Sequence, residues 1–278
     1  MKTILTVVGD GSAEAVLETA VLAARRFGGK ITGLNALASE YAVVFGGEMG
    51  FSISSEVDRT LEREGAERRD QARALFNAVM RKHGIPLGTG NGVTAEWREE
   101  AGRQNAIVGM LGRTYDLIVL EQPDKAASFA EATLEDALFE SGRPVLMAPK
   151  AKCTVLGDRI LVAWNGSTET ARTIGLAMPF LERAARVEIV SVASAFVPGP
   201  SAEELMRNFR AHGIDVVSRH IAVGNKPAGE VFLEEARAMQ ADLLIKGAYT
   251  QSRLRQMIFG GATRHIILNA VIPVLLAH

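Results

Sequence analysis

Three segments of this 278-residue chain occur twice, in the same order, and that internal repetition constrains the fold more than any other feature. Residues 4–12 (ILTVVGDGS) match 159–167 (RILVAWNGS), 116–120 (DLIVL) match 242–246 (DLLIK), and 144–148 (PVLMA) match 273–277 (PVLLA). One such pair arises by chance; three in register order point to a duplicated unit. The boundary is expected in the polar stretch 150–157, giving domains 1–150 and 156–278.

Within the second copy, short Val/Ile/Leu-rich runs at 159–164, 187–193, 215–222, 242–246 and 273–277 read as strands covered on both faces. Between them 168–183, 202–211, 228–239 and 261–269 have helical period, with Ser167 and Ser201 placed as N-caps of the first two. Strand–helix alternation of this kind predicts an α/β fold: two tandem, doubly wound, five-stranded parallel sheets of Rossmann-like order 3-2-1-4-5. The first copy follows the same plan with roughly thirty extra residues, because the repeat offset falls from 155 at the first strand to 126 at the fourth. They lie within 38–83, as a Gly-rich apolar loop at 43–51 and a long helix over 55–83 whose Val57, Leu61, Ala72, Leu75, Phe76 and Val79 share one face. That helix is expected to be an amphipathic cover for the sheet. For the loop, a lid over the site and a contact with a partner subunit both stay open.

Composition enters mainly by exclusion. Hydrophobic residues at 47% and charged residues at 23% suit a chain with a sizeable core. A formal net charge of −1 gives no reason to expect nucleic acid or an anionic membrane as partner. The N-terminal apolar run is too short for a signal peptide, and no stretch is long enough to span a bilayer. The single cysteine, Cys153, can form no internal disulfide, so a cytoplasmic setting is expected, with Cys153 a bystander in the linker. The five histidines show no metal-ligand spacing.

In an open parallel sheet a ligand sits beyond the carboxyl ends of the strands where the winding reverses, here after the first and fourth strands. In the second copy those strands end in Trp164-Asn165-Gly166-Ser167 and in Lys246-Gly247. Gly260 and Gly261 then open a helix, Thr263 adds a hydroxyl, and Arg253, Arg255 and Arg264 add positive charge. Glycines admit close backbone approach and a helix N-terminus offers free N–H groups, so the pattern suits an anion. In the first copy Glu121 and Asp124 stand in the corresponding places, where carboxylates repel phosphate.

The segment from Gly247 to Thr263, followed by an apolar helix and Pro273-Val274-Leu275-Leu276, resembles the C-terminal signature of the universal stress protein family. ATP-binding members of that family carry G-x-x-G, nine residues, then G-[S/T]. Gly247 and Gly260 match, with 251–259 between, while Thr250 replaces the second glycine and Gly261 the Ser/Thr. Asn165 stands where the family has a strand-one Asp that contacts the adenosine portion. The resemblance implies a nucleotide site in the second copy built from Ala163, Trp164, Asn165, Val192, Lys246, Gly247, Thr250, Gly260, Gly261, Ala262 and Thr263. It implies ATP, or ADP or AMP, as ligand, with Mg only alongside a triphosphate. It also implies edge-to-edge pairing of terminal strands, so that 145–148 and 274–277 pair within the chain, with a further homodimer. The function expected is a stress-response binding or regulatory protein; the alternative is an interaction module that binds no nucleotide and acts through its surfaces. A dedicated enzyme is not expected: His265 is the sole general-base candidate near the site, and neither first-strand turn is the Ser-Gly-Gly-x-Asp-Ser loop of adenylating pyrophosphatases.

Overall fold

The computed structural model describes residues 1–9, 13–37, 55–124, 128–222, 224–248 and 261–278, with the side chains of 55–62 excepted. The loop at 43–51 therefore lies outside the described residues, as do Thr250, Arg253, Arg255 and Gly260.

The first half runs β1 (Thr3–Val7), α1 (Ala13–Phe27), β2 (Lys30–Leu37), α2 (Ser55–Lys82), β3 (Thr94–Ala101), α3 (Gln104–Gly112), β4 (Leu117–Glu121), α4 (Phe129–Glu140) and β5 (Val145–Ala148). The second runs β6 (Arg159–Trp164), α5 (Thr168–Leu181), β7 (Arg186–Val192), α6 (Ala202–Ala211), β8 (Val216–Ile221), α7 (Ala228–Ala238), β9 (Leu243–Gly247), α8 (Ala262–Asn269) and β10 (Val274–Ala277). The ten strands among the described residues form one sheet in the order β3-β2-β1-β4-β5-β10-β9-β6-β7-β8, so each half has the expected 3-2-1-4-5 winding. Among these strands every pairing is parallel except that of β5 with β10, which is antiparallel, with Leu275 opposite Leu146. Strands β4 and β10 are buried almost throughout because helices cover both faces.

Element ends differ from the sequence expectation by a residue or two. Helix α5 stops at Leu181, with Glu182 as C-cap, and β7 stops at Val192, where Ala193–Ala195 turns into a 3₁₀ segment. Ser167 caps α5 by accepting from the Thr170 N–H, and Ser201 forms a full capping box with Glu204 on α6. Helix α2 covers the sheet as its pattern requires: Ala72, Phe76, Val79 and Met80 are buried while the opposite face is solvated.

Two apolar layers flank the sheet. One joins α1, α2, α5 and α6 residues such as Phe27, Phe76, Phe180 and Phe209; the other joins α3, α4, α7 and α8 residues such as Val108, Leu134, Phe232 and Ile266. Both layers cross the middle of the molecule. Phe27 meets Phe180 edge-on at 4.7 Å between centroids, and Arg26 donates to the Gly157 and Arg183 carbonyls.

The matched aspartates explain one part of the repeat. Asp116 accepts from the backbone N–H groups of Lys2 and Thr3, and Asp242 from those of Gly157, Asp158 and Arg159. Each carboxylate thus ties the start of the fourth strand of its half to the start of the first.

Candidate functional site

Strand alternation decides which residues at the carboxyl end of the second half can share a site. Ala163 on β6 and Val192 on β7 lie in the apolar layer beneath α7 and α8, and Ala262 packs against the same layer. Trp164 faces the other way, into the α5–α6 layer, where its indole N–H donates to the Pro200 carbonyl at 2.9 Å. The structure therefore separates Trp164 from Ala163, which the sequence had grouped in one site.

The turn after β6 is held by its own side chains. Asn165 Oδ1 accepts from Thr170 Oγ1 at 2.6 Å and from the Ser167 N–H at 3.2 Å. Gly166 has φ +79, and a Cβ added at Gly199 would fall 2.2 Å from the Gly166 carbonyl oxygen. Backbone closes on backbone here, as Val197 N–H donates to the Asn165 carbonyl.

At the end of β9 the two adjacent residues have different roles. Gly247 faces α5, and a Cβ there would lie 2.5 Å from the Thr170 nitrogen, so strand–helix contact alone requires this glycine. Lys246 faces the opposite layer, on the side of Leu244 and α8, and is only 4% exposed. Its ammonium donates to the Gly247 carbonyl at 3.0 Å, and none of the described carboxylates pairs with it. Burial pushes this ammonium down to about 8, and the charge of Glu169 offsets that only in part.

Helix α8 begins at the same end of the sheet, because it lies in the chain between the parallel strands β9 and β10. Its N-cap is Gly261 (φ −74, ψ 174), with no side-chain hydrogen bond to the first turn among the described residues. Thr263 is buried in that first turn and Arg264 is exposed. His265 packs with its Cβ against Gly229 of α7, which locks the two helices together.

The first half differs at the matching positions. Gln122 is buried and donates from its amide to the carbonyls of Ile267 and Ala270, closing the C-terminal end of α8 across the molecule. Asp124 pairs with Lys150. Glu121 lines a cavity of about 280 Å³ between β1, β4, α1 and α4, together with Val7, Gly9, Gln104, Phe129 and Thr133. Sequence reasoning missed this cavity, since its walls are mostly ordinary apolar residues brought together by the crossovers.

With this geometry in place, the likeness to known proteins can be read. The family model described as "Universal stress protein family" matches residues 157–278. The curated universal stress protein Slr1230 of Synechocystis sp. is 27% identical over 172 residues, 58% of this chain; the match spans 57% of that relative's length. Residues 157–278, less than half of the chain, are thus similar to the universal stress protein family. Solved structures extend the fold to nearly the whole chain. A universal stress protein from Archaeoglobus fulgidus superposes with a TM-score of 0.67 at 17% identity, covering 98% of this chain and 95% of its own. A functionally unknown protein from Pseudomonas aeruginosa PAO1 gives 0.55 at 16% identity, with 100% and 92% covered.

Two features of the described part of the second-half terminus bear on what could bind there. A buried ammonium lacks a carboxylate partner among the described residues, and the start of α8 has no side-chain cap among them. Cys153 contributes no chemistry: burial first, then the charge of Asp242, pushes its thiol up, away from the reactive thiolate.

Proposed function

We propose that this protein is a universal stress protein, a stress-response binding protein whose second half holds an adenine nucleotide, with ATP, ADP or AMP as the ligand class. The observation that carries the reading is the buried Lys246, with no carboxylate partner among the described residues, near the end of β9, the strand that precedes α8 at the switch point of the sheet. Gly261, Ala262 and Thr263 would meet the phosphates with backbone N–H groups and a hydroxyl, and Ala163 and Val192 would flank the base and sugar. Thr250 and Gly260 belong to the same expected site by spacing. Magnesium enters only with a triphosphate. We read the chain as two tandem copies, 1–150 and 156–278, acting in the cytoplasm and forming a further homodimer; the role is binding, with any ATP hydrolysis slow and incidental.

The test is to denature the purified protein, identify released small molecules by mass spectrometry, and titrate it with ATP, ADP and AMP by calorimetry. Binding is expected in the second half, so Gly260→Asp abolishes it and Glu121→Lys leaves it unchanged. Absence of binding at millimolar concentration of all three sinks the nucleotide reading.

A second reading, an interaction module without nucleotide, draws support from two motif positions with structural employment. Gly247 is required by Thr170, and the Asn165 acceptor is engaged by its own turn.

A further inference from the structure

The two outer edges of the sheet are finished differently. At the first-half edge, Ala95 of β3 is already paired outward: its N–H donates to the Pro86 carbonyl at 2.9 Å, and its carbonyl accepts from the Gly88 N–H at 2.8 Å. The rest of β3 carries Glu96, Arg98, Glu99 and Glu100, a charged run of the kind that keeps an edge from pairing. At the second-half edge, β8 pairs with β7, and none of its backbone groups has an outward hydrogen bond among the described residues. A parallel strand at an edge turns every other N–H and C=O to its free side, where they stand ready for another strand.

The pleat decides which side chains this edge presents. Ile214 and Val216 lie in the α5–α6 layer, so Asp215, Val217 and Arg219 share the opposite face. Val217 is 48% exposed, an apolar side chain in the middle of an open edge. Asp215 is exposed and has no ion-pair partner among the described residues. Arg219 is held by Glu188 through Nε and by Glu235 through one Nη, and its other Nη makes no hydrogen bond among the described residues. Arg186 also reaches Glu188, at 3.3 Å, so two arginines balance two glutamates here and an incoming carboxylate finds donors to spare.

Two copies of β8 paired antiparallel about a two-fold axis must set residues of the same face opposite each other. Centred on Val217, the pairing puts Val217 against Val217, Val216 against Ser218, and Asp215 of each copy against Arg219 of the other. Centred on Ser218, it would put Val217 against Arg219 and Asp215 against Ile221. The first register alone joins apolar to apolar and acid to base. Helix α6 repeats the match. It lies between the parallel strands β7 and β8 in the chain and so runs opposite to them, with Glu203 and Glu204 in its first turn and Arg210 in its last. Across the same axis its acidic start is turned toward the basic end of its copy.

We propose that β8 is the surface through which two copies of this chain join, pairing antiparallel about Val217 so that one sheet runs through both. The proposal rests on the reading of the chain as a further homodimer, and it deepens that reading by placing the contact at the open edge of the second half, away from the β5–β10 seam.

The test uses the full-length protein and follows its oligomeric state by sedimentation over about a hundredfold dilution series. The unaltered protein is expected to be dimeric at the concentrated end and to dissociate on dilution. Val217→Lys sets like charges opposite each other at the axis, and Asp215→Lys sets them opposite Arg219 twice per dimer. Each is expected to weaken the dimer roughly tenfold or more. Both positions are exposed, so the melting temperature of the dilute protein stays that of the unaltered chain. Val271→Lys, at an exposed apolar position outside this edge, leaves the dimer intact.

A cysteine variant locates the contact even where a lysine variant fails to fold. In a Cys153→Ser background, Val217→Cys brings two thiols together at the axis, within disulfide reach for directly opposite residues. Mild oxidation is expected to give a covalent dimer on a denaturing gel, whereas Val271→Cys in the same background gives none. A dimer that survives both lysine substitutions and is not cross-linked by Val217→Cys overturns the β8 interface while the homodimer reading stands. A monomer throughout the dilution series overturns both.

Discussion

Single side chains in this molecule often hold two distant stretches of chain, and their removal should be felt accordingly. Gln122 is the clearest case, since its one amide serves two buried carbonyls 145 and 148 residues away. Gln122→Leu keeps the volume but leaves those carbonyls unpaired, so a loss of about 1–3 kcal/mol is expected in urea unfolding. Ser167→Ala removes the N-cap of α5 and is expected to cost about 1 kcal/mol in the same assay. Asp116 gives a pH-dependent case. Burial alone would raise its carboxyl, yet the N–H groups of Lys2 and Thr3 hold it below the ordinary aspartate range. A depressed folded-state value means that its contribution is present above about pH 4 and lost as pH falls through the depressed value. The stability gap between the native protein and Asp116→Asn is therefore expected to narrow on acidification below pH 4, measured by thermal melts across pH; a gap constant with pH would exclude this role.

At the scale of elements, the covering helix α2 shows how one contact sets a packing distance. A Cβ on Gly33 of β2 would fall 2.5 Å from the ring of Phe76, which is fully buried beneath α2. Phe76→Ala is expected to cost about 3–5 kcal/mol through the cavity it leaves. Gly33→Ala should push α2 outward and also destabilise, whereas the double variant Gly33→Ala/Phe76→Ala should lose less than the sum, read from a double-mutant cycle. Much at this scale was legible in the sequence. Strands such as β4 and β10 announce themselves because burial on both faces demands an apolar run, and Ser201 with Glu204 three residues on is a helix start visible in the letters alone. The candidate site was less legible. Ala163 and Trp164 are neighbours in sequence but face opposite layers, and only the pleat separates them. Gly247 looked like a phosphate glycine, but Thr170 already requires it, a contact between segments 77 residues apart that no local pattern encodes. The clamp by Gln122 and the first-half cavity were invisible for the same reason: both are made by residues with no local signal.

The whole molecule is one sheet rather than two domains on a tether. Its centre is the antiparallel seam of β5 and β10, and its outer edges are β3 and β8. The seam is buried completely, with Val145, Leu146, Leu275 and Leu276 all inaccessible. Leu146→Asp would place an unpaired charge in that seam and is expected to lower the melting temperature while unfolding remains a single transition; two separate transitions in calorimetry would show that the halves fold independently. Among the described residues, no helix is long and apolar enough to cross a membrane.

The seam also has a consequence for inheritance of the two halves. Two separate chains joined along such an edge would part on dilution and re-assort with any identical copy. A covalent link keeps the local concentration of one half about the other high at every protein concentration. An acidic first half and a glycine-started second half are thereby kept in fixed one-to-one proportion and never exchange mates. Each half is free to drift toward its own task without producing mismatched pairs.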